Sequence, residues 1–269
     1  MADRQWVDLK PSTEEARLLA EKLGKSVLLC KLLVARGIKD AREAEAFINP
    51  MLENMHDPFL LKDMDTAAER ILKALKLKEK IVIYGDYDVD GVTGTSVLYD
   101  FLAGQGAAVD YYIPDRLCEG YGLSVESLEK IAGGRPGLII TVDCGITAVE
   151  ETEYIKAQGI DIVITDHHEC GEVLPDACAV INPHRHDCGY PFKELAGVGV
   201  VYKLVQALCA RMGLGDFHKK YLDLAALGTI ADVVPLTGEN RIIAKHGIEK
   251  IAVTENKGLK ALIECSGLS

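Results

Sequence analysis

From Lys80 onward the chain alternates short apolar runs with amphipathic segments. The runs are Ile81–Tyr84, Val109–Ile113, Leu138–Val142, Ile160–Thr165 and Cys178–Ile181. They are short, rich in Val and Ile, and mostly lack polar alternation, which is how strands buried on both faces of a parallel sheet read. Between them, Thr93–Ala103, Val125–Ala132, Thr147–Ala157 and Val198–Met212 have helical character. Repeated strand–helix alternation predicts an α/β fold: an open, mainly parallel five-stranded sheet flanked by helices, with right-handed crossovers. The stretch from about Ser12 to Lys78 predicts helices and short connections, punctuated by Pro50 and Pro58. Asp65 is placed to cap a helix that carries Ile71, Leu72, Leu75 and Leu77 at helical spacing. The expected organisation is a helical N-terminal region over 1–79, packed on an α/β domain over 80–269.

Composition bounds this picture without changing it. A chain of 269 residues, 48% apolar and 26% charged, suits one large α/β domain or two small ones. No apolar run reaches the ~18 residues of a membrane span. Met1 to Lys10 is charged and has no signal-peptide core, so the expected location is the cytoplasm. The eight cysteines are scattered and none forms a CxxC pair, which suits reduced thiols. Cys170, Cys178, His184, His186 and Cys188 have spacings that fit no familiar zinc pattern. The net charge of −11 lacks the basic excess usual for a nucleic-acid binder. Three readings fit it: no nucleic acid is bound, bound cations supply local positive charge, or a further domain does the gripping.

Ligands of open α/β sheets sit at the C-terminal ends of the strands, so chemistry is sought just after each run. After the first run comes Gly85-Asp86-Tyr87-Asp88-Val89-Asp90-Gly91. In extended backbone, alternate side chains share a face, so Asp86, Asp88 and Asp90 are expected to converge. Carboxylates so close stay ionised only beside cations, and hard oxygen ligands suit magnesium or manganese. A calcium EF-hand loop beginning at Asp86 would need a Glu where Val97 stands, and an apolar strand precedes it, so that reading fails. A haloacid-dehalogenase pattern, Asp88-Val89-Asp90-Gly91-Val92, stays open at this point. After the third run comes Asp143-Cys144-Gly145, and after the fourth Asp166-His167-His168. Histidine is a good borderline ligand for manganese, and a neighbouring carboxylate fixes its tautomer. Asp232 ends the apolar stretch Leu224–Ala231 and needs a partner if buried.

These motifs, in this order, resemble the DHH phosphoesterase superfamily, named for the Asp-His-His at 166–168. The match includes Val142-Asp143-Cys144-Gly145 and Gly228-Thr229-Ile230-Ala231-Asp232-Val233-Val234-Pro235-Leu236. Within the superfamily the chain most resembles the RecJ branch of single-stranded-DNA exonucleases. Ile113-Pro114-Asp115-Arg116, Glu119-Gly120-Tyr121-Gly122-Leu123, Ile181-Asn182-Pro183 and Leu195-Ala196-Gly197-Val198-Gly199-Val200 carry that likeness. The later lysine and acidic-pair motifs of the haloacid-dehalogenase alternative have no counterpart here.

The resemblance implies a DHH catalytic domain over 80–269 and two divalent cations, Mn2+ or Mg2+. It implies Asp143 as the bridge between them. Asp90, His167 and Asp232 would complete one site, and Asp88 with Asp86 or water the other. His168 would face the scissile phosphate, and Arg116 the 5′ phosphate. Tyr84 stands where the pyrophosphatase branch has a histidine, so it should not ligate. The implied activity is 5′-to-3′ hydrolysis of single-stranded DNA to 5′ mononucleotides, in DNA repair and recombination. Single-strand-binding protein and helicases are the implied partners. Family members continue into a DHH-associated domain and an oligonucleotide-binding fold, both absent here, so the chain reads as an N-terminal fragment with weak or absent exonuclease activity. Two alternatives stay open: an oligoribonucleotide or cyclic-dinucleotide phosphodiesterase of the same superfamily, and an inactive relative that binds replication or repair partners.

Overall fold

The computed structural model describes residues 10–267. Its sheet consists of β1 (Lys80–Gly85), β2 (Ala108–Tyr112), β3 (Leu138–Val142), β4 (Asp161–Thr165) and β5 (Ala179–Ile181). All neighbours pair in parallel, in the order β2-β1-β3-β4-β5. Strand interiors are Val- and Ile-rich because helices cover both faces. β3 is buried at every position. The edge strand β2, by contrast, leaves Ala108, Asp110 and Tyr111 exposed, and it is the run with polar residues between apolar ones.

One face carries α4 (Met64–Leu77), α5 (Val89–Gly104) and α8 (Gly197–Met212). The other carries α6 (Val125–Ala132) and α7 (Val149–Ala157). Val82, Tyr84, Ile139, Ile162 and Ile164 point to this second face and pack with Leu128, Ile131 and Ile155. The Tyr84 hydroxyl bonds to Gly122 O and Ser127 Oγ there, away from the strand ends that hold the acidic motifs. α9 (Leu222–Ala231) packs on α5, and α10 (Gly238–Ile251) packs on α9. α11 (Lys257–Cys265) closes the described chain.

The helical N-terminal segment contains α1 (Thr13–Leu23), α2 (Val27–Ala35) and α3 (Ala41–Ile48). Its core is Ala16, Leu19, Cys30, Leu33, Val34 and Ala44, and Ser12, Ser26 and Asp40 cap its helices. The chain divides into two compact units between Asn54 and Met55, so α4, although it precedes residue 80, belongs to the larger unit. The cap expected of Asp65 is not formed. The helix begins a residue earlier, at Met64, so Asp65 lies in its first turn and pairs with Arg211. Asp63, in the left-handed region at φ 62°, takes the cap position but makes no capping bond. Its carboxylate is engaged by Arg185 and the Val180 N–H instead.

The strand order reverses at β1. From β1 the chain crosses outward to β2 and then returns to β3 on the other side. Loops that leave β1 and β3 at this point diverge and open a crevice at the C-terminal strand ends. Asp86 follows β1 and Asp143 follows β3.

Candidate metal centre

The first acidic motif is a strand-to-helix turn. Asp88 is the N-cap of α5, and its side chain accepts from the Gly91 N–H at 2.9 Å. Asp90 is already helical, so Asp86, Asp88 and Asp90 do not share a face through extended backbone as their spacing suggested. The turn splits them: Asp86 and Asp88 gather with Asp143, whereas Asp90 gathers with His167 and Asp232. In each group the ligand atoms lie within 4.8 Å of one another. Asp143, His167 and His168 form a third such group, so the set is contiguous.

Each side chain has a local reason for its place. Asp143 leaves β3 in the left-handed region at φ 64°, an uncommon conformation for a residue with a Cβ. Its N–H donates to Thr165 O, and the Thr141 hydroxyl donates to Cys144 O, which together fix the turn. Asp90 is 1% exposed and accepts from the Gly197 and Val198 N–H groups at 2.6 and 2.8 Å. The N-terminus of α8 is therefore aimed at this carboxylate. Gly197 is required for that approach, because a Cβ there would lie 2.4 Å from Asp143 Oδ1. Asp232 stands at the C-cap of α9.

His167 lies at the centre. Its Nε2 is 3.1 Å from Asp143 Oδ1, 3.7 Å from Asp232 Oδ2 and 3.8 Å from Asp90 Oδ2. Among the described residues no donor is aligned for a hydrogen bond on the buried Asp143 Oδ1, nor on Asp86 Oδ1. Asp166 is quite different. One oxygen accepts from the N–H groups of His167 and His168 and from His168 Nδ1 at 2.7 Å. The other accepts from the Ile146 N–H. Of the Asp-His-His motif, the aspartate thus orients its own loop and His168.

The electrostatics divide the same way. Burial raises Asp143, and the charges of Asp88 and Asp166 add to it, bringing its pKa to about 9. Burial and the Asp143 charge likewise push Asp90 well up. Asp86 and Asp232 also rise, chiefly through burial, with Asp88 adding repulsion. Burial would raise Asp166 as well, but its bond to His168, the histidine's charge and the backbone donors more than offset this and hold it below the usual carboxylate range. His168 is raised to about 9 by its bond to Asp166, against the effect of burial. A cluster of carboxylates that resists ionisation, with oxygen atoms lacking donors, has the character of a cation site. Oxygen-only ligands suit Mg2+ or Mn2+, and an imidazole beside them suits Mn2+. The residues present fit such a pair of ions.

Arg116 does not join these groups. It sits exposed on the loop after β2, with its guanidinium 5.2 Å from the centroid of the Tyr87 ring, next to Asp86 and Asp88 in sequence. Among the described residues, Cys170, Cys178, His184, His186 and Cys188 supply none of the potential metal groups. Two contributors lay outside the sequence reading of the site. Tyr121 places its hydroxyl 3.2 Å from His168 Nδ1 and 3.4 Å from Asp143 O. The backbone donors of Gly197 and Val198 carry no side-chain signal, although Gly197-Val198-Gly199 ahead of an apolar helix marks a close backbone approach.

The sequence pattern of the DHH family, N-terminal domain, matches residues 80–229, which hold every element of this centre except Asp232. The chain belongs to the DHH family. Among the DHH proteins it resembles is the single-stranded-DNA-specific exonuclease RecJ of Bacillus subtilis (strain 168), at 48% identity over 263 residues. That match takes in 98% of this chain but 33% of the relative, so the chain spans about a third of its length. A crystal structure of exonuclease RecJ bound to manganese aligns with a TM-score of 0.72 and 40% identity, over 77% of this chain and 52% of that one. RecJ from Thermus thermophilus in complex with Mn2+ aligns with a TM-score of 0.79 and 32% identity, over 95% of this chain and 36% of that one.

Proposed function

We propose that this chain is the catalytic core of a metal-dependent phosphodiesterase, a single-stranded-DNA exonuclease that works from the 5′ end and releases 5′ mononucleotides in DNA repair and recombination. One observation carries the reading: Asp86, Asp88, Asp90, Asp143, His167 and Asp232 meet at the switch point of one sheet, with buried carboxylate oxygens that no donor satisfies. The names of the RecJ relatives support the substrate, and those of the manganese-bound structures support the cofactor.

In this reading Asp90, His167 and Asp232 hold one divalent cation, Mn2+ or Mg2+. Asp86 and Asp88 would hold the other, with Asp143 a candidate ligand of both. When bound, the pair supplies activation of water near neutral pH and neutralisation of the phosphate. His168, kept protonated by Asp166, donates toward a non-bridging phosphate oxygen as negative charge builds on it. The Tyr121 hydroxyl also lies against the His168 ring nitrogens. Arg116, kept at the rim by the Tyr87 ring, presents a planar fork suited to a terminal 5′ phosphate. Asp143, in its strained left-handed conformation, is pre-set for its position. No helix among the described residues is long and apolar enough to cross a membrane. We place the enzyme in the cytoplasm, with single-strand-binding protein and helicases presenting the strand.

The test compares end-labelled single-stranded DNA, a linear dinucleotide and a cyclic dinucleotide with MnCl2, for the parent chain and Asp143→Ala. The expected result is slow mononucleotide release from the DNA that EDTA and D143A each abolish. Metal-dependent cleavage retained in D143A, or cleavage of the dinucleotides alone, contradicts the proposal.

A further inference from the structure

A buried amide stitches together the two loops that deliver opposite walls of one half of the metal centre. Asn240, on the first turn of α10, is 0% exposed. Its Nδ2 donates to Glu194 O and to Pro235 O, the latter at 3.2 Å. Pro235 follows Asp232 by three positions, and Glu194 precedes Gly197 by three. One loop therefore carries the Asp232 carboxylate. The other carries the α8 N-terminus, whose Gly197 and Val198 N–H groups grip Asp90. The loops also touch directly: Gly238 is packed so closely on Phe192 that a Cβ would lie 2.6 Å from its ring.

The stitch is itself anchored. Glu239, beside Asn240 and 1% exposed, accepts from the His56 N–H at 3.0 Å, from the Tyr190 hydroxyl at 2.5 Å and from Lys203 Nζ at 3.0 Å. Lys203, on α8 and 0% exposed, also donates to His56 O. A fully paired buried ion pair thus fixes the start of α10 against α8. The chain between Asp232 and α10 has reason to need holding. Val233, directly after Asp232, is β-branched, 85% exposed and at φ 63°. A β-branched residue adopts that conformation only where its surroundings impose it. The Val233 side chain is exposed, and Asn240 holds the backbone two residues on.

We propose that Asn240 is a positioning residue for the Asp90–His167–Asp232 half of the centre, that Glu239 is its anchor, and that Asp86 and Asp88, which have no contact with the two stitched loops in the groups above, do not depend on it. This rests on the two-cation reading above and says which cation Asn240 governs. Removing the stitch frees Asp232 and the α8 N-terminus to drift apart, so one cation should bind more weakly and the other should not. Groups that orient metal ligands typically contribute about 10- to 100-fold in affinity.

The experiment is MnCl2 titration by calorimetry, with circular dichroism and thermal unfolding as fold controls. It uses the parent chain, Asn240→Leu, Asp232→Asn and Asp86→Asn. Leucine is close to asparagine in size and shape and lacks its donors. Asn240→Ser is carried alongside in case N240L does not fold, with a smaller loss expected in the same site. The parent should bind two ions. N240L should lose at least about 10-fold in one site, reproducing the D232N isotherm and not that of D86N. A folded N240L or N240S with both affinities intact, or with both lowered equally, overturns the positioning role while the two-cation reading stands. A parent chain that binds no Mn2+ sinks that reading, and this inference with it.

Discussion

Two clusters of charge lie at opposite ends of the same sheet, and they are built differently. At the N-terminal strand ends, Arg70 donates to Asp161 at 2.5 Å, to Glu79 at 2.6 Å and to Gly137 O at 2.8 Å. Glu79 and Gly137 immediately precede β1 and β3, and Asp161 begins β4, so one guanidinium ties three strand starts. At the C-terminal ends, Asp86 stands with Asp88 and Asp143, while His167 is ringed by Asp90, Asp143 and Asp232. Among the described residues the ion pairs of the last three are to that histidine alone. In the first cluster each carboxylate has a guanidinium nitrogen as its partner, and the cluster is scaffold. The second leaves carboxylates that resist ionisation, and bound cations would let them ionise. The difference gives a way to tell a structural ion cluster from a site: whether each carboxylate has a fully charged partner in the protein.

The comparison breaks most directly at Gly197. In Gly197→Ala the new Cβ must displace Asp143 or the α8 N-terminus, and both belong to the centre. The expected outcome is a loss of about 1–3 kcal/mol in stability, with Mn2+ binding severely weakened. Chemical denaturation and calorimetry measure the two effects, and a variant with unchanged Mn2+ affinity would show that Asp90 and Asp143 tolerate separation. Arg70→Met acts at the other pole. It should cost about 1–3 kcal/mol, toward the lower end because Asp161 is half exposed and screened, while Mn2+ affinity stays within about twofold of the parent. A fall in Mn2+ affinity matching that of G197A would erase the distinction between the clusters.

The third contrast is the dependence on pH. Asp143 has a folded pKa of about 9, above its ordinary 3.8. A raised acid favours the fold most below 3.8, and that contribution is lost as pH rises from about 4 to about 9. Asp90 and Asp232 shift in the same direction and add to the slope. His168, raised to about 9, also contributes most below its ordinary 6.5 and loses that contribution over the upper part of the window. Without divalent metal, the midpoint of thermal unfolding should therefore carry a downward slope with pH that is shallower in Asp143→Asn. Saturating MnCl2 should flatten the slope in the parent, because ligation favours the deprotonated forms. Calorimetric scans with EDTA or MnCl2 across pH 5 to 9 read this, and equal slopes in the parent and D143N would contradict it.

The sheet was legible in the sequence because its strands are buried on both faces. Leu138–Val142 has no polar alternation to confuse it, and its limits are the observed ones. The same held for α6, where Ser124 caps a strongly amphipathic segment. The acidic motif was legible as chemistry but not as geometry. Spacing alone cannot reveal that Asp88 would become a helix cap, and that event, in place of alternation along a strand, sends Asp90 to a different group from Asp86. Asp65 and Asp63 tell a similar story: either residue type caps a helix, and the pull of Arg185 on Asp63 and of Arg211 on Asp65 is tertiary information. The role of Asp166 was half visible. A carboxylate beside two histidines was expected to orient one, and it orients His168, leaving His167 to the aspartates. The backbone donors on Asp90 and the bond from Asn240 to Glu194 O were illegible, because each joins a side chain to main-chain atoms far along the chain.

The most direct measurement is anomalous diffraction from crystals of the chain grown with MnCl2. The account predicts two manganese peaks, one bounded by Asp86, Asp88 and Asp143 and the other by Asp90, His167 and Asp232, with the Asp143 carboxylate between them. A single ion, ions placed elsewhere, or carboxylates paired to side chains of this protein with no metal present would contradict it.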